Sequence, residues 1–262
     1  MILDRFKLTD QVAIVTGAGR GIGEAISLAF AEAGADVAVA ARSQEQIDDT
    51  ADAVRQRGRR SIAVPCDVNQ DDQLEALVDA TMAEFGRIDI VVNNAGGWRP
   101  GPALDVTPAE FDAAYHFNVT SAFALTRLAV PRMVETAGEG CVINISSVAG
   151  RHLSAGFAAY GTAKAALSFL TQELAQDFAP KVRVNAIAVG STLTSALETV
   201  LTDELRAEMI RLTPMGRLGT VEDIAACALY LASPAGGYVT GEIFGVNGGL
   251  TESSLKMPRA FE

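Results

Sequence analysis

Seven short apolar runs punctuate this chain, each set apart from the next by a stretch of helical length or longer. They are VAIVT (12–16), DVAVAA (36–41), SIAVP (61–65), IDIVVN (88–93), CVINIS (141–146), VRVNAIA (182–188) and EIFGVN (242–247). Runs that are apolar on both faces of the pleat belong to strands covered on both sides. Segments 21–33, 44–57, 71–85, 108–136, 158–178 and 221–232 carry apolar residues at helical spacing. Such alternation leads to a parallel sheet with right-handed crossovers and helices on both faces. The expected fold is α/β, a doubly wound Rossmann-type sheet of seven parallel strands.

A chain of 262 residues falls within the range of a single α/β unit, and no repeat, charge block or low-complexity linker divides it. One domain spanning 1–262 is expected. Within it, 191–219 is the one long excursion, and it follows the end of a strand, where open α/β sheets bind ligands. It reads as a flap over a substrate or as an ordinary connecting helix. The tail TESSLKMPRAFE is either frayed or docked on a neighbouring subunit.

Several partners are disfavoured by composition. The net charge of −11 opposes binding to nucleic acid phosphates. No stretch approaches eighteen uninterrupted apolar residues, so no membrane span is expected. The N-terminus MILDRFKLTD lacks the basic-then-apolar build of an export signal, and cytoplasmic residence follows by default. Cys66, Cys141 and Cys227 lie far apart with only His116 and His152 beside them, which gives no metal-ligand spacing and implies reduced, buried thiols.

After the first strand comes TGAGRGIGEAI (16–26), with glycines at 17, 19, 21 and 23. They let the backbone turn tightly and aim the N–H groups of the following helix at a pyrophosphate. The simple G-x-G-x-x-G spacing is not met, because Ile22 and Glu24 stand where the third glycine would fall; the pattern is T-G-x-x-x-G-x-G. The second strand ends in AVAARSQ, with no acid to hold a ribose 2′-OH. Arg42 and Arg20 could instead grip a 2′-phosphate, which favours NADP(H). The alternative is a solvated Arg42 stacked on adenine, with NAD(H) acceptable. Asp67 after the third strand reads either as an adenine contact or as a helix cap.

Four polar groups converge on the same sheet edge in this reading. Asn118 lies within a helical pattern, Ser147 follows the fifth strand in NISSVAG, and AAYGTAK puts Tyr160 and Lys164 four residues apart on one helical face. With NNAG (93–96) and NAIA (185–188), these motifs resemble the short-chain dehydrogenase/reductase family, in order and at its spacing, across residues 8–250. The resemblance implies an NAD(P)(H)-dependent oxidoreductase with the tetrad Asn118, Ser147, Tyr160 and Lys164. It also implies a homo-oligomer, usually a tetramer built on helices 108–136 and 158–178 and the C-terminal strand.

The chemistry of those residues fits. A free phenol has a pKa near ~10, and a nearby cation favours its ionised form, a role for Lys164. Tyr160 then exchanges the proton, Ser147 holds the substrate oxygen, and Asn118 positions a relay water toward Lys164. Cofactor contacts are expected from Gly17, Gly19, Arg20, Gly21, Ile22, Gly23, Arg42, Asp67, Val68, Asn94, Ala95, Gly96, Tyr160, Lys164, Gly190, Thr192 and Thr194. One departure is Val189 where the family usually has proline, which restores a backbone N–H and frees φ, so the loop after it is expected to be shifted or more mobile.

Around the substrate, Trp98, Leu153, Phe157, Leu193, Leu197 and Val200 are largely apolar, which favours a lipophilic alcohol or ketone over a sugar phosphate. Their other reading is ordinary packing. GGWRPG, STLTSAL and TPMGRLG resemble bacterial hydroxysteroid dehydrogenases of the family. A 3-oxoacyl-acyl-carrier-protein reductase is the competing enzyme and would need a basic patch from Arg99, Arg151 and Arg217. From other classes, a non-catalytic NAD(P)-binding regulator would need neither Tyr160 nor Ser147. An epimerase or dehydratase fits the length and glycine spacing less well.

Overall fold

The computed structural model describes residues 1–199 and 201–254. Val200 and the tail from 255 onward, both part of the expectations above, lie outside the described residues. Strands β1 (Val12–Thr16), β2 (Asp36–Ala41), β3 (Ser61–Pro65), β4 (Ile90–Asn93), β5 (Gly140–Ser147), β6 (Val182–Val189) and β7 (Ile243–Val246) form one sheet in the order β3-β2-β1-β4-β5-β6-β7. Every pairing is parallel. The seven-stranded doubly wound architecture is as expected.

Period-two alternation splits the core into two layers. Ala13, Val15, Val37, Val39, Ile90, Val92 and Ile143 point to one face. There they meet helix α1 (Gly21–Glu32) through Ile26 and Phe30, α2 (Gln44–Gln56) through Ile47 and Val54, and α9 (Val221–Ala232) through Ile224 and Leu231. Val12, Ile14, Ala38, Val91, Val142 and Val184 point to the other face, against α3 (Asp71–Phe85) and, further along the chain, α5 (Ser121–Thr136) and α6 (Ala158–Phe178). Each Leu, Ile or Phe buried this way stabilises the fold by roughly 1.5–3 kcal/mol.

One segment differs from the sequence expectation, and another takes a specific form. Segment 108–136 is one rod in three parts: α4 (Pro108–Tyr115), a π-helical turn over His116–Thr120, and α5. The wider turn carries Asn118, whose side chain donates to the Ala114 carbonyl four residues back. The excursion 191–219 contains α7 (Ser195–Glu198) and α8 (Asp203–Leu212), and its two ends are joined at the base. Leu193 N–H bonds Gly219 O at 2.8 Å and Gly219 N–H bonds Ser191 O at 2.9 Å.

The sheet reverses direction of growth between β1 and β4, and side chains tie the two strand ends together. Thr16 Oγ1 accepts from the N–H of Asn94 (3.0 Å) and of Ala95 (3.1 Å). Asn94 Nδ2 donates back to Thr16 O and Gly17 O at 2.9 and 3.1 Å. This staple requires glycine. Gly17 has a φ of +62°, and a Cβ on Gly23 would lie 2.3 Å from Gly17 O and 2.5 Å from Asn94 Nδ2. Gly23→Ala is therefore expected to lower stability by about 1–3 kcal/mol through overpacking against backbone. Gly101, with open space around its Cβ position, is the control. Thermal melts in which Gly23→Ala and Gly101→Ala match the parent equally would remove the staple from its central place.

Candidate active site

A cleft of about 570 Å³ opens at the carboxyl ends of the strands, over the switch between β1 and β4. Open α/β sheets bind ligands at such a switch. The turn after β1 forms its floor, with Gly17, Gly19, Arg20, Gly21 and Ile22 lining it. The turn is held from below: Thr50 Oγ1 donates to Ala18 O at 3.0 Å and Ser27 Oγ to Gly23 O at 2.8 Å. Arg42, Asp67 and Val68 line one end; Asn94, Ala95 and Gly96 the middle; Ser147, Tyr160, Lys164, Gly190 and Thr194 the other end.

Three of the expected site residues stand off the cleft, each with a job of its own. Gly23 lies behind the turn, packed on Gly17 O. Thr192 bridges to Gly219 and lines a neighbouring cavity. Asn118 clamps the strand-end loop: Gly97 N–H donates to its Oδ1 at 2.9 Å, and its Nδ2 donates to Gly97 O at 3.0 Å. With Ala114 O taking the second amide proton, that side chain is already committed.

Asp67 lines the cleft but does not cap α3. Its Oδ1 accepts from the backbone N–H and Nδ2 of Asn69, closing a turn, while α3 is capped at Gln70. Val189 stands where the family usually has proline, and it is paired on both sides. It continues β6 between Ser147 and Val246, and the Gly190 N–H reaches Val246 O at 3.0 Å. The valine is the last residue of β6, where its φ range and N–H suit the sheet.

Helix α6 holds Tyr160 and Lys164 against β5. Ser146 Oγ bonds Lys164 O at 3.0 Å and Ser168 Oγ at 2.8 Å, and Asn144 Nδ2 donates to Thr171 Oγ1 at 2.9 Å. Asn144 in turn accepts from Asn93, which also reaches Thr126 on α5. Lys164 is buried, and its Nζ donates to Ile145 O at 2.8 Å. It sits 5.7 Å from the centre of the Tyr160 ring.

Burial dominates the electrostatics of this pair and corrects one expectation. Desolvation pushes the Lys164 ammonium down to about 7. The Tyr160 phenol is pushed up from its ordinary value by the same burial, with hydrogen bonding from Ser147 opposing it. Within the protein alone the phenol is thus raised instead of lowered, because loss of water outweighs the hydrogen bond with Ser147.

A smaller cavity of about 230 Å³ adjoins the cleft and shares Ser147, Tyr160, Val189 and Gly190 with it. Phe157 and Leu197 line it as expected, but Leu153 is 98% exposed and Trp98 and Leu193 do not line it. His152, Met209, Ser253 and Ser254 do. Met209 and the two serines gave no sequence signal, since each reaches the cavity only through the path of the chain after β6 and β7.

A phenol, a hydroxyl and a buried amine at one end of a phosphate-type turn can move a proton to or from an oxygen held in the cavity. Residues 17–251 match the family described as enoyl-(acyl carrier protein) reductase. A 7α-hydroxysteroid dehydrogenase of Escherichia coli (strain K12) is 41% identical over 247 residues, covering 94% of this chain and 96% of that one. The chain belongs to the short-chain dehydrogenase/reductase family. As a member it is an oxidoreductase acting on CH–OH groups. A solved 7α-hydroxysteroid dehydrogenase, complexed with NADH and 7-oxo glycochenodeoxycholic acid, matches with a TM-score of 0.93 at 40% identity, covering 97% of this chain and 99% of that one. An uncharacterised oxidoreductase of Mycobacterium tuberculosis is 52% identical, covering 98% of each. A 3-oxoacyl-acyl-carrier-protein reductase of Thermotoga maritima is 33% identical, covering 93% of this chain and 99% of that one.

The lowered Lys164 has a consequence for stability. Between about pH 7 and its ordinary value, the unfolded chain holds a proton that the folded chain has released, so stability from this group rises with pH. Below pH 7 both states carry the proton, and the folded state bears the full penalty of a buried charge. Lys164→Met removes that penalty. Its thermal midpoint relative to the parent is expected to be highest near pH 6 and to fall steadily toward pH 9. A difference independent of pH would refute the buried-amine assignment.

Proposed function

We propose that this short-chain dehydrogenase/reductase is an NADP(H)-preferring enzyme that interconverts a secondary alcohol and a ketone on a lipophilic, steroid-like molecule. Asn118, Ser147, Tyr160 and Lys164 are its tetrad. The observation that carries the reading is one continuous cleft with Arg20 and Arg42 at one end and Ser147, Tyr160 and Lys164 at the other.

The residues suit a dinucleotide. The turn at Gly17–Ile22 leaves backbone N–H groups at the start of α1 for a pyrophosphate. Arg20 and Arg42 have no ion-pair partner among the described residues, which leaves both guanidinium groups for a 2′-phosphate. Asp67 keeps one carboxylate oxygen outside its turn for the adenine side, with Val68 beside it. Gly190 and Thr194 stand at the nicotinamide end, and Thr192 supports them from behind. Bound there, the nicotinamide supplies or accepts the hydride.

The chain's own groups handle the proton and the substrate oxygen. Tyr160 gives its proton to the oxygen of a ketone undergoing reduction, or takes one from an alcohol undergoing oxidation. Ser147 holds that oxygen by a hydrogen bond as charge develops on it. Lys164, whose single carbonyl partner leaves donors over, holds a ribose hydroxyl and returns protons to Tyr160. Asn118 acts as a positioning residue through its clamp on Gly97.

Relatives that act on steroids support the lipophilic substrate, and so does the apolar wall of Phe157, Leu197 and Met209. An acidic carrier protein is less well served. Arg99 is engaged by Glu110, Arg217 by Asp223, and Arg151 by the carbonyl of Ile243. Segment 191–219 serves as the substrate cover, since Thr194 and Ser195 line the cleft and Leu197 and Met209 the cavity. A homo-oligomer, expected as a tetramer, is supported by Phe111, Tyr115, Phe123 and Phe169 exposed along the α4–α6 surface. Among the described residues no helix is long and apolar enough to cross a membrane, and cytoplasmic residence remains part of the proposal.

Two measurements test the reading. Tyr160→Phe is expected to cut kcat by roughly 10²–10⁴, the usual share of an acid/base group, with cofactor affinity largely intact. Retained turnover would refute the assignment of Tyr160. Arg42→Ala is expected to weaken NADPH binding on the order of tenfold or more by fluorescence titration, and NADH binding far less. A parent protein that binds NADH more tightly than NADPH would overturn the cofactor preference.

A further inference from the structure

The cavity beside Tyr160 is not uniformly apolar. Besides Phe157, Leu197 and Met209, it is lined by His152, Ser191 and Ser254. The two serines satisfy each other, with their hydroxyls 2.5 Å apart. His152 has no such partner: within the described residues its imidazole takes part in no hydrogen bond or ion pair, although the ring is half-buried. Its backbone N–H bonds Val148 O at 2.8 Å, which anchors it to the turn immediately after Ser147. Neighbouring Arg151 is turned away, donating to Ile243 O at 2.6 Å.

An imidazole has a nitrogen that donates and one that accepts, and both need partners when water leaves. A hydrocarbon skeleton filling this cavity would strip water from His152 and return nothing. We propose that His152 reads a second hydrogen-bonding oxygen on the substrate, so that the preferred ligand is a lipophilic ketone or secondary alcohol bearing a further hydroxyl or carbonyl group. A neutral oxygen fits better than a carboxylate, because the net charge of −11 disfavours an anionic group that no arginine meets in the cavity. His152 is a specificity determinant here: a site built to hydrogen-bond an oxygen discriminates against the analogue that lacks it.

This inference rests on the alcohol–ketone reading above, and the experiment separates the two. Reduction of 2-decalone and of its positional hydroxy derivatives is followed with NADPH for the parent, H152Q and H152F. The parent is expected to favour at least one hydroxylated isomer in kcat/KM by roughly three- to tenfold, the scale of one neutral hydrogen bond. H152F brings that ratio to about one, while H152Q, which keeps a donor and an acceptor, retains part of it. H152A repeats the test should the phenyl ring not fit. Turnover of 2-decalone with no preference for any isomer, or a preference that survives H152F, overturns the role of His152 alone. No turnover of any ketone overturns the underlying reading and this inference with it.

Discussion

Parallel strands end at the same edge, so whatever follows each strand is delivered to one rim of the sheet. The order β3-β2-β1-β4-β5-β6-β7 makes that rim a crevice, because the chain grows outward from β1 on one side and from β4 on the other. The staple between Thr16 and Asn94 holds the crevice at its narrowest point. Its geometry explains the glycines: a backbone carbonyl and an amide nitrogen occupy the space a side chain at 23 would take. The phosphate-type turn, the NNAG loop and the cleft between them all depend on this one cross-strand tie.

Deeper in the sheet, a second set of polar groups aligns the helix that carries Tyr160 and Lys164. Asn93 and Asn144 pass hydrogen bonds from α5 through β4 and β5 to Thr171 on α6, while Ser146 grips the carbonyl of Lys164 itself. Buried polar networks of this kind rigidify when every member is satisfied. Rigidity matters because it keeps Lys164 buried beside Tyr160, where desolvation lowers the amine and raises the phenol.

Much of this was legible in the residues because the signals are local. Alternating apolar runs, the glycine turn and the Tyr160–Lys164 spacing depend on periodicities of two and of about four, which no distant contact is needed to define. The π-helical turn at Asn118 was not legible, because a single added residue in a helical turn leaves the apolar pattern almost unchanged. Nor was the exposure of Leu153, an apolar residue in a loop whose neighbours decide its burial. The rise of the Tyr160 phenol also escaped the sequence, since the spacing shows a cation nearby but not how little water surrounds it.

By itself, then, the sequence determined the doubly wound sheet, the glycine-rich turn after β1 and the placing of Tyr160 and Lys164 on one helical face, because each follows from spacing along one strand or one helix. Only the tertiary structure decided that Asn118 is a clamp, that Val189 ends a paired strand and that His152, Met209 and Ser254 line one cavity. Those outcomes depend on which segments meet across the sheet edge. Residues separated by about a hundred positions, such as His152 and Ser254, have no spacing that could announce their meeting.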